Sequence, residues 1–91
     1  MEYVLDVREL RSCGAFHARL KETLSFPVWY GGNLDAMYDC LTDLPHGTTL
    51  IIRGFSALEE SLGPRYTAKL RRVLNDAAAE GRFRWEETEG C

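Results

Sequence analysis

The chain has 91 residues, a hydrophobic fraction of 45%, a charged fraction of 27% and a formal net charge of −3. This length and this balance are typical of one small globular domain, so we expect a single domain over residues 1–91. The negative charge argues against nucleic acid as a direct partner. Because the sequence has neither an apolar run of membrane-spanning length nor a signal-peptide pattern, we expect a cytoplasmic protein without a membrane partner.

Three short segments have the composition of β-strands. The first and second are rich in β-branched and apolar residues, and the second is the best candidate for a central strand. The third alternates polar and apolar residues, which predicts a strand with one wet face. In chain order they are residues 3–7, 48–52 and 82–86.

Four segments carry helical signals, and two lie in each interval between strands. They are a helix opened by Ser12 or Cys13 and ending near residue 24, a helix after Asn33, a short helix from Ser56 and a helix over 65–80. The order is strand, helix, helix, strand, helix, helix, strand. Helical crossovers between strands favour a parallel sheet with right-handed connections, so we expect an α/β fold.

Two helices carry further local signals. In the first, Phe16, Leu20 and Leu24 form an apolar stripe, and we place His17 on the solvent side of it. In the third, Ser56 and the glutamate three residues later match a capping box, which predicts Ser56 as the N-cap.

The most informative stretch is 26–43, which begins as a loop and ends as a helix. Gly31 and Gly32 permit positive φ and a close approach of another chain, and Asn33 is a good N-cap. The helix that follows should bury an apolar stripe. Its members recur at i, i+3, i+4 and i+7, and they are Leu34, Met37, Tyr38 and Leu41.

A second stripe on the same helix is acidic. Asp35, Asp39 and Asp43 recur every four residues. Residues 22–52 contain four acidic residues and no Lys or Arg, a net charge of −4, whereas the rest of the chain carries +1. A charge stripe is usually a solvated face, but a solvated face normally mixes signs. We therefore favour a surface that binds a cationic partner.

A second acidic pair lies near the end of the fourth predicted helix. Asp76 and Glu80 are one turn apart on its outer side, where the helix dipole disfavours both. Asp76 has a structural alternative, because Arg72 lies one turn earlier and could form an ion pair with it.

The three cysteines are Cys13, Cys40 and Cys91. An odd number without CxxC or metal-ligand spacing is typical of reduced thiols rather than of a disulfide or a metal centre. We expect Cys40 to be a small, partly buried helix residue. No cofactor or metal is expected.

A catalytic function is not expected either. His17 and His46 fall in separate elements, and Ser56 is explained by capping. Asp35 and Asp39 could form a catalytic carboxylate pair, but on successive solvent-facing turns they lack the burial that would separate their pKa values.

Residues 29–42, WYGGNLDAMYDCLT, resemble the barstar family, intracellular protein inhibitors of secreted bacterial ribonucleases. The resemblance extends along nearly the whole chain in element order and is strongest here and at 76–81. It implies a three-stranded parallel sheet packed with about four helices. It also implies a one-to-one complex with a basic, extracellular-type bacterial ribonuclease.

The resemblance further implies which residues bind the partner. The family pattern maps this role onto Trp29, Gly31, Asn33, Asp35, Asp39, Thr42, Asp43, Asp76 and Glu80. Asp39 would be the central phosphate mimic. Trp29 would either stack on the ribonuclease site or belong to the core, and the sequence leaves both open.

Three positions depart from the inhibitor after which the family is named: Gly32 replaces an acidic residue, Trp29 a tyrosine and Leu44 a tryptophan. They bear on which ribonuclease is recognised. The alternative function is an immunity or regulatory module of the same fold whose basic partner is not a ribonuclease. A small hydrolase is a third class, which turnover of a substrate would reveal.

Overall fold

The computed structural model describes residues 1–81 and 83–88. The predicted first residue of the third strand, Arg82, and the third cysteine, Cys91, lie outside the described residues. The elements are β1 (Glu2–Asp6), α1 (Cys13–Leu24), α2 (Leu34–Thr42), β2 (Thr48–Arg53), α3 (Phe55–Leu62), α4 (Pro64–Ala78) and β3 (Phe83–Thr88). The α/β class and the predicted order of elements are confirmed.

The three strands form one parallel sheet in the order β1-β2-β3. β2 is central, and its Leu50 pairs with Tyr3 of β1 on one side and Trp85 of β3 on the other. Each strand reaches the next through two helices. Because both crossovers run in the same direction across the sheet, right-handed connections place all four helices on one face.

Burial alternates along the strands in agreement with this arrangement. Leu5, Leu50 and Ile52 are fully buried, whereas Val4 on the opposite face is 56% exposed. Most parallel sheets are covered on both faces. Here the core lies between the helices and one face of the sheet, and the other face is open.

The helix starts follow local capping where the sequence supplies it. Ser12 is the N-cap of α1, and its hydroxyl accepts a hydrogen bond from the Ala15 N–H at 3.1 Å. The predicted capping box at Ser56 is wrong, because α3 begins at Phe55 with Gly54 as its N-cap. Gly54 has a φ of 83°, which turns the chain from β2 directly into α3 and places Phe55 in the core.

The prediction for His17 is also wrong. The side chain is 2% exposed, so it lies in the interior and not on the solvent side of α1.

Cys13 and Cys40 are free thiols, the first exposed and the second buried. None of the helices within residues 1–81 and 83–88 combines the length and the apolar character that crossing a bilayer requires.

Candidate functional site: an acidic surface along α2

The start of α2 is fixed by Asn33, whose backbone is extended at φ −124° and ψ 168°. Its side-chain oxygen accepts a hydrogen bond from the Ala36 N–H at 2.8 Å. The helix packs on the core through Met37, Cys40 and Leu41, which are buried. The predicted acidic stripe consequently faces outward, and Asp35, Asp39 and Asp43 are all exposed.

Because the stripe recurs every four residues, the three carboxylates are spread along the helix rather than gathered. Eight residues separate Asp35 from Asp43, a rise of roughly 12 Å along an α-helix. Asp35 lies in the first turn, where the helix dipole favours a carboxylate, and Asp43 is the C-cap, where the dipole opposes it. Asp39 lies between them with no capping role.

The second acidic pair comes from the end of α4. Asp76 is in the last turn of that helix, whereas Glu80 lies in the turn beyond it, because α4 ends at Ala78 rather than at residue 80. Both side chains are exposed. The alternative of an ion pair between Arg72 and Asp76 is not observed.

The two acidic groups meet at Tyr38, a half-buried residue of α2. The negative charge of Glu80 is the largest influence that raises the pKa of the Tyr38 hydroxyl, followed by burial and by the charges of Asp76 and Asp39. The charges of three carboxylates, one on α2 and two at or just beyond the end of α4, therefore act on one hydroxyl group. We call Asp35, Asp39, Asp43, Asp76 and Glu80 the acidic surface.

Within the described part of the chain, no Lys or Arg forms an ion pair with this surface. The ion pairs there join Arg8 to Asp6 and Arg71 to Glu59 and Glu87, and none involves the acidic surface. Cys40, buried behind it, has its pKa raised first by burial and then by Asp43 and Asp39. The carboxylates of the acidic surface thus form no ion pair among the described residues, and an opposite charge from outside could pair with them.

Residues 26–33, which we call the entry loop, lead into α2. Phe26 and Tyr30 are buried, and their rings meet edge to face with centroids 5.0 Å apart. Trp29 is 59% exposed and Val28 is 91% exposed. The alternative of Trp29 as a core residue is therefore excluded. The sequence reasoning missed Val28, an exposed apolar side chain beside it.

The other predicted site residues are backbone or supporting positions. Gly32 uses the left-handed region, with φ at 71°, whereas Gly31 does not. A side chain at Gly31 would still crowd the Asn33 amide, because its Cβ would lie 3.2 Å from Nδ2. The Thr42 hydroxyl donates to the Asp39 carbonyl oxygen at 3.0 Å, inside the helix.

A family model described as Barstar (barnase inhibitor) matches residues 1–89.

The chain belongs to the barstar family.

A curated relative named Putative ribonuclease inhibitor YrdF, from Bacillus subtilis (strain 168), is 38% identical over 80 residues, which is 85% of this chain and 85% of that protein. The resemblance carried by residues 29–42 is thereby confirmed, together with the three-stranded parallel sheet and four helices that it implied.

Behind the entry loop of this barstar-family chain lies a buried polar network that the sequence reasoning missed. The Nδ1 atom of His17 is hydrogen-bonded to the Tyr30 hydroxyl, and its Nε2 atom to the Tyr66 hydroxyl at 2.6 Å. Burial lowers the pKa of His17, raises that of Tyr30 and raises that of Tyr66 to about 12. The available signal was the spacing of His17 from Leu20 and Leu24, at i+3 and i+7 on the buried face.

In residues 1–81 and 83–88, no cluster of three or more His, Cys, Asp or Glu side chains is arranged to hold a metal ion. The carboxylates of the acidic surface are exposed and are spread along α2 and around the end of α4. Their arrangement suits charge recognition by a large, complementary surface.

Proposed function

We propose that this barstar-family chain is an intracellular, non-catalytic inhibitor that binds the active site of a secreted bacterial ribonuclease and blocks it. The observation that carries the proposal is the acidic surface, whose carboxylates come from α2 and from the end of α4 without a cationic partner among the described residues. The family and the inhibitor name of the Bacillus relative support the same conclusion.

The mechanism follows from what a ribonuclease site must do. It has to bind a phosphate backbone, so it is a concave surface rich in Arg, Lys and His. Carboxylates held where the phosphates would lie form charge-assisted hydrogen bonds with these cations and exclude the substrate. The inhibitor is not cleaved, because it offers no phosphodiester bond.

We assign Asp39 the central position of this surface, because it is exposed in the middle of α2. Asp35 and Asp76 would pair with further arginines on either side of it. Asp43 and Thr42 would lie at the rim, and Glu80 would flank the binding helix beside Tyr38.

The entry loop supplies the non-ionic part of the proposed interface. Trp29 is exposed enough to stack on a catalytic histidine or on the base-binding surface of the ribonuclease. Gly31 and Asn33 would offer backbone groups to the partner. The three departures from the inhibitor after which the family is named differ in exposure. Trp29 and Gly32 are exposed and can alter partner choice directly, whereas Leu44 is buried.

The test is a stoichiometric titration. The purified protein is added to each of several guanyl-specific bacterial ribonucleases at fixed concentration, and hydrolysis of a fluorogenic RNA is followed. We expect activity to fall linearly to zero at one equivalent for at least one enzyme. A ribonuclease of unrelated fold is the specificity control and should stay active.

Two other outcomes would contradict the proposal. Full activity of every ribonuclease at micromolar inhibitor would favour the alternative, a module whose basic partner is not a ribonuclease. Turnover of a substrate by the protein alone would place it in the third class, a hydrolase.

The control variant is Glu60→Gln on the exposed side of α3, which removes one negative charge outside the acidic surface. It should inhibit as well as the parent.

A further inference from the structure

A cleft of about 320 Å³ lies between the entry loop and α1. Its loop wall is formed by Gly31 and Gly32, and its helix wall by Gly14, Ala18 and Lys21. Because four of these five residues have only a hydrogen atom or a methyl group as side chain, the cleft is space that larger side chains would fill. A water molecule takes up about 30 Å³ in the liquid, so this volume has room for a large side chain of another protein.

The floor of the cleft is formed by two buried rings, those of His17 and Tyr30. Both ring nitrogens of His17 and the hydroxyl of Tyr30 are already hydrogen-bonded within the protein. No buried side-chain nitrogen or oxygen in the described part of the chain lacks a partner. The floor therefore presents ring carbons rather than free donors or acceptors, and it suits an apolar side chain.

The wall of the cleft carries one charge that the protein leaves available. Lys21 is the one Lys, Arg, Asp or Glu among the residues that line the cleft, and it is half-buried. Its ammonium group forms no ion pair with any residue of 1–81 or 83–88. An ammonium group beside an apolar cleft attracts a carboxylate, whereas the acidic surface attracts cations. The cleft and the acidic surface thus require opposite charges from a partner.

The cleft adjoins the exposed apolar part of the entry loop. Val28 and Trp29 directly precede Tyr30 in the chain, and both are largely exposed. In protein interfaces, an anchor side chain fills a pocket while the contacts around it exclude water. The cleft supplies such a pocket, and the two exposed side chains supply apolar surface beside it.

We propose that this cleft is a specificity pocket for the inhibited ribonuclease. It takes one aromatic or large aliphatic side chain of the enzyme, while an Asp or Glu next to that side chain pairs with Lys21. The inference rests on the proposed function and deepens it, because it names the chemistry of one part of the partner. Enzymes with the same cationic active site but without this pair of residues are bound less tightly, so the cleft discriminates among ribonucleases.

The chemistry of the cleft can be tested on the free protein with three blocked dipeptides. N-acetyl-Phe-Asp-amide has both proposed groups, whereas the Phe-Asn dipeptide lacks the carboxylate and the Ala-Asp dipeptide lacks the aromatic ring. Each is titrated into ¹⁵N-labelled protein at millimolar concentrations, and the amide shifts of Gly14, Gly31 and Gly32 are followed. The Gly47 amide, outside the cleft, is the internal reference.

We expect the Phe-Asp dipeptide to shift the three cleft amides and to leave Gly47 unchanged. The Phe-Asn dipeptide should need an at least about three-fold higher concentration, the effect of losing one partly exposed ion pair. The Ala-Asp dipeptide should not bind measurably. Filling the cleft with Ala18→Leu should abolish the shifts caused by the Phe-Asp dipeptide.

Ala18→Leu also tests the pocket in the complex. Ala18 is exposed and Leu is a good helix former, so the variant should fold as the parent does. Ala68→Leu is the matched control, because Ala68 is exposed on α4 and outside the cleft. We expect Ala18→Leu to raise the dissociation constant about ten- to thirty-fold, the effect of losing a buried anchor. Ala68→Leu should bind as the parent does.

Lys21→Gln tests the carboxylate through the sign of its effect. Its control is Lys69→Gln, at an exposed position of α4. Both variants lose one positive charge, which by long-range attraction alone favours a cationic ribonuclease. Lys69→Gln should therefore bind as tightly as the parent or more tightly. Lys21→Gln should bind about two- to five-fold more weakly, because a carboxylate of the enzyme loses its partner.

The proposal is overturned if Ala18→Leu binds the ribonuclease as tightly as Ala68→Leu does, or if Lys21→Gln strengthens binding as Lys69→Gln does. If the parent binds no ribonuclease, the proposed function fails, and the dipeptides alone decide about the cleft. Preferential binding of the Phe-Asp dipeptide then supports the chemistry assigned to it. Equal binding of all three dipeptides, or binding of none, contradicts that chemistry.

Discussion

Asp39 lies in the middle of α2, exposed, with Asp35 one turn before it and Asp43 one turn after it. It caps nothing, and the buried residues Met37 and Leu41 hold the helix without it. In a complex, its carboxylate would be desolvated against arginines. We therefore predict that Asp39→Ala weakens ribonuclease binding by ~2–5 kcal/mol or more, the general cost of truncating one partner of a buried, hydrogen-bonded charge pair.

The same substitution should leave the fold intact. Removing Asp39 relieves a repulsion with each neighbouring aspartate, worth ~0.2–0.5 kcal/mol per pair. Asp43→Ala at the rim should weaken binding far less, and Asp35→Ala should fall between the two. The binding constant and the melting temperature of all three variants are the measurements. Unchanged binding by Asp39→Ala, or a much lower melting temperature, would contradict the phosphate-mimic role.

The pKa of the Tyr38 hydroxyl reports on the charge of the acidic surface, and it can be measured in the free protein without a ribonuclease. Glu80 contributes most to its raised pKa, ahead of burial and of Asp76 and Asp39. We predict that Glu80→Gln lowers the pKa of Tyr38 more than Asp39→Asn does, because a nearby negative charge disfavours the phenolate. Titration of ring-labelled tyrosine by ¹³C NMR measures this. Glu60→Gln, on α3, should leave the pKa of Tyr38 unchanged. If Glu60→Gln shifted that pKa as much as Glu80→Gln does, the acidic surface would not act locally on Tyr38.

Among the elements, those with local signals could be predicted and those set by distant contacts could not. Ser12 and Asn33 cap α1 and α2 through residues three positions later, which the sequence displays directly. The start of α3 depends instead on Gly54, whose N–H donates to the Thr88 carbonyl oxygen of β3 at 2.7 Å. That contact outcompetes the local capping box at Ser56.

The candidate site divides in the same way. The acidic stripe of α2 has a simple helical period, so its exposure could be predicted from residues 34–43 alone. The burial of His17 had only its spacing to Leu20 and Leu24 as a local signal, because its second partner, Tyr66, is 49 residues away. A histidine on the edge of an apolar stripe is buried only when another element supplies a polar group to meet it.

Gly54 offers a stability test of the turn between β2 and α3. Its φ is 83°, and a Cβ there would lie 2.1 Å from the Arg8 Cγ. Gly47 is the matched control, with φ at 85° and nothing within 4 Å of a Cβ. Gly47→Ala should lower the free energy of unfolding by about 1–2 kcal/mol through backbone strain alone. Gly54→Ala adds overpacking and should lower it by about 2–5 kcal/mol.

Chemical denaturation of the two variants decides between strain and crowding. Equal losses would mean that the Arg8 side chain moves aside freely. A larger loss for Gly54→Ala would show that Arg8, held by a hydrogen-bonded ion pair to Asp6 with a nitrogen–oxygen distance of 2.7 Å, cannot yield.

Across the whole molecule, the negative charge is concentrated rather than spread. Residues 22–52 carry a net −4 and the remainder +1, so the excess lies on the entry loop, α2 and the segments next to them. The mixed charges of the open sheet face, such as Glu2, Arg53 and Glu86, do not add to it. This asymmetry should orient a cationic partner toward α2 before contact, and steering of this kind is known for barstar-family complexes.

The last prediction separates this steering from the contacts themselves. Asp43→Asn and Glu60→Gln each remove one negative charge, the first at the proposed rim and the second on α3. Asp43→Asn should lower the association rate with the inhibited ribonuclease roughly three-fold at low salt. Steering by the whole charge distribution raises association rates about 10- to 1,000-fold, and one charge accounts for only part of that rise. Its dissociation rate should barely change, because rim charges act mainly on association.

Stopped-flow fluorescence at ionic strengths from about 0.01 to 0.15 M, where the Debye length falls from about 30 to 8 Å, provides the measurement. The parent should slow steeply as salt is added, and the gap between the parent and Asp43→Asn should close. Glu60→Gln should follow the parent at every salt concentration. If the two substitutions lowered the association rate equally, only the net charge of the protein would matter. If the association rate of the parent did not depend on salt, the acidic surface would not lie at the interface.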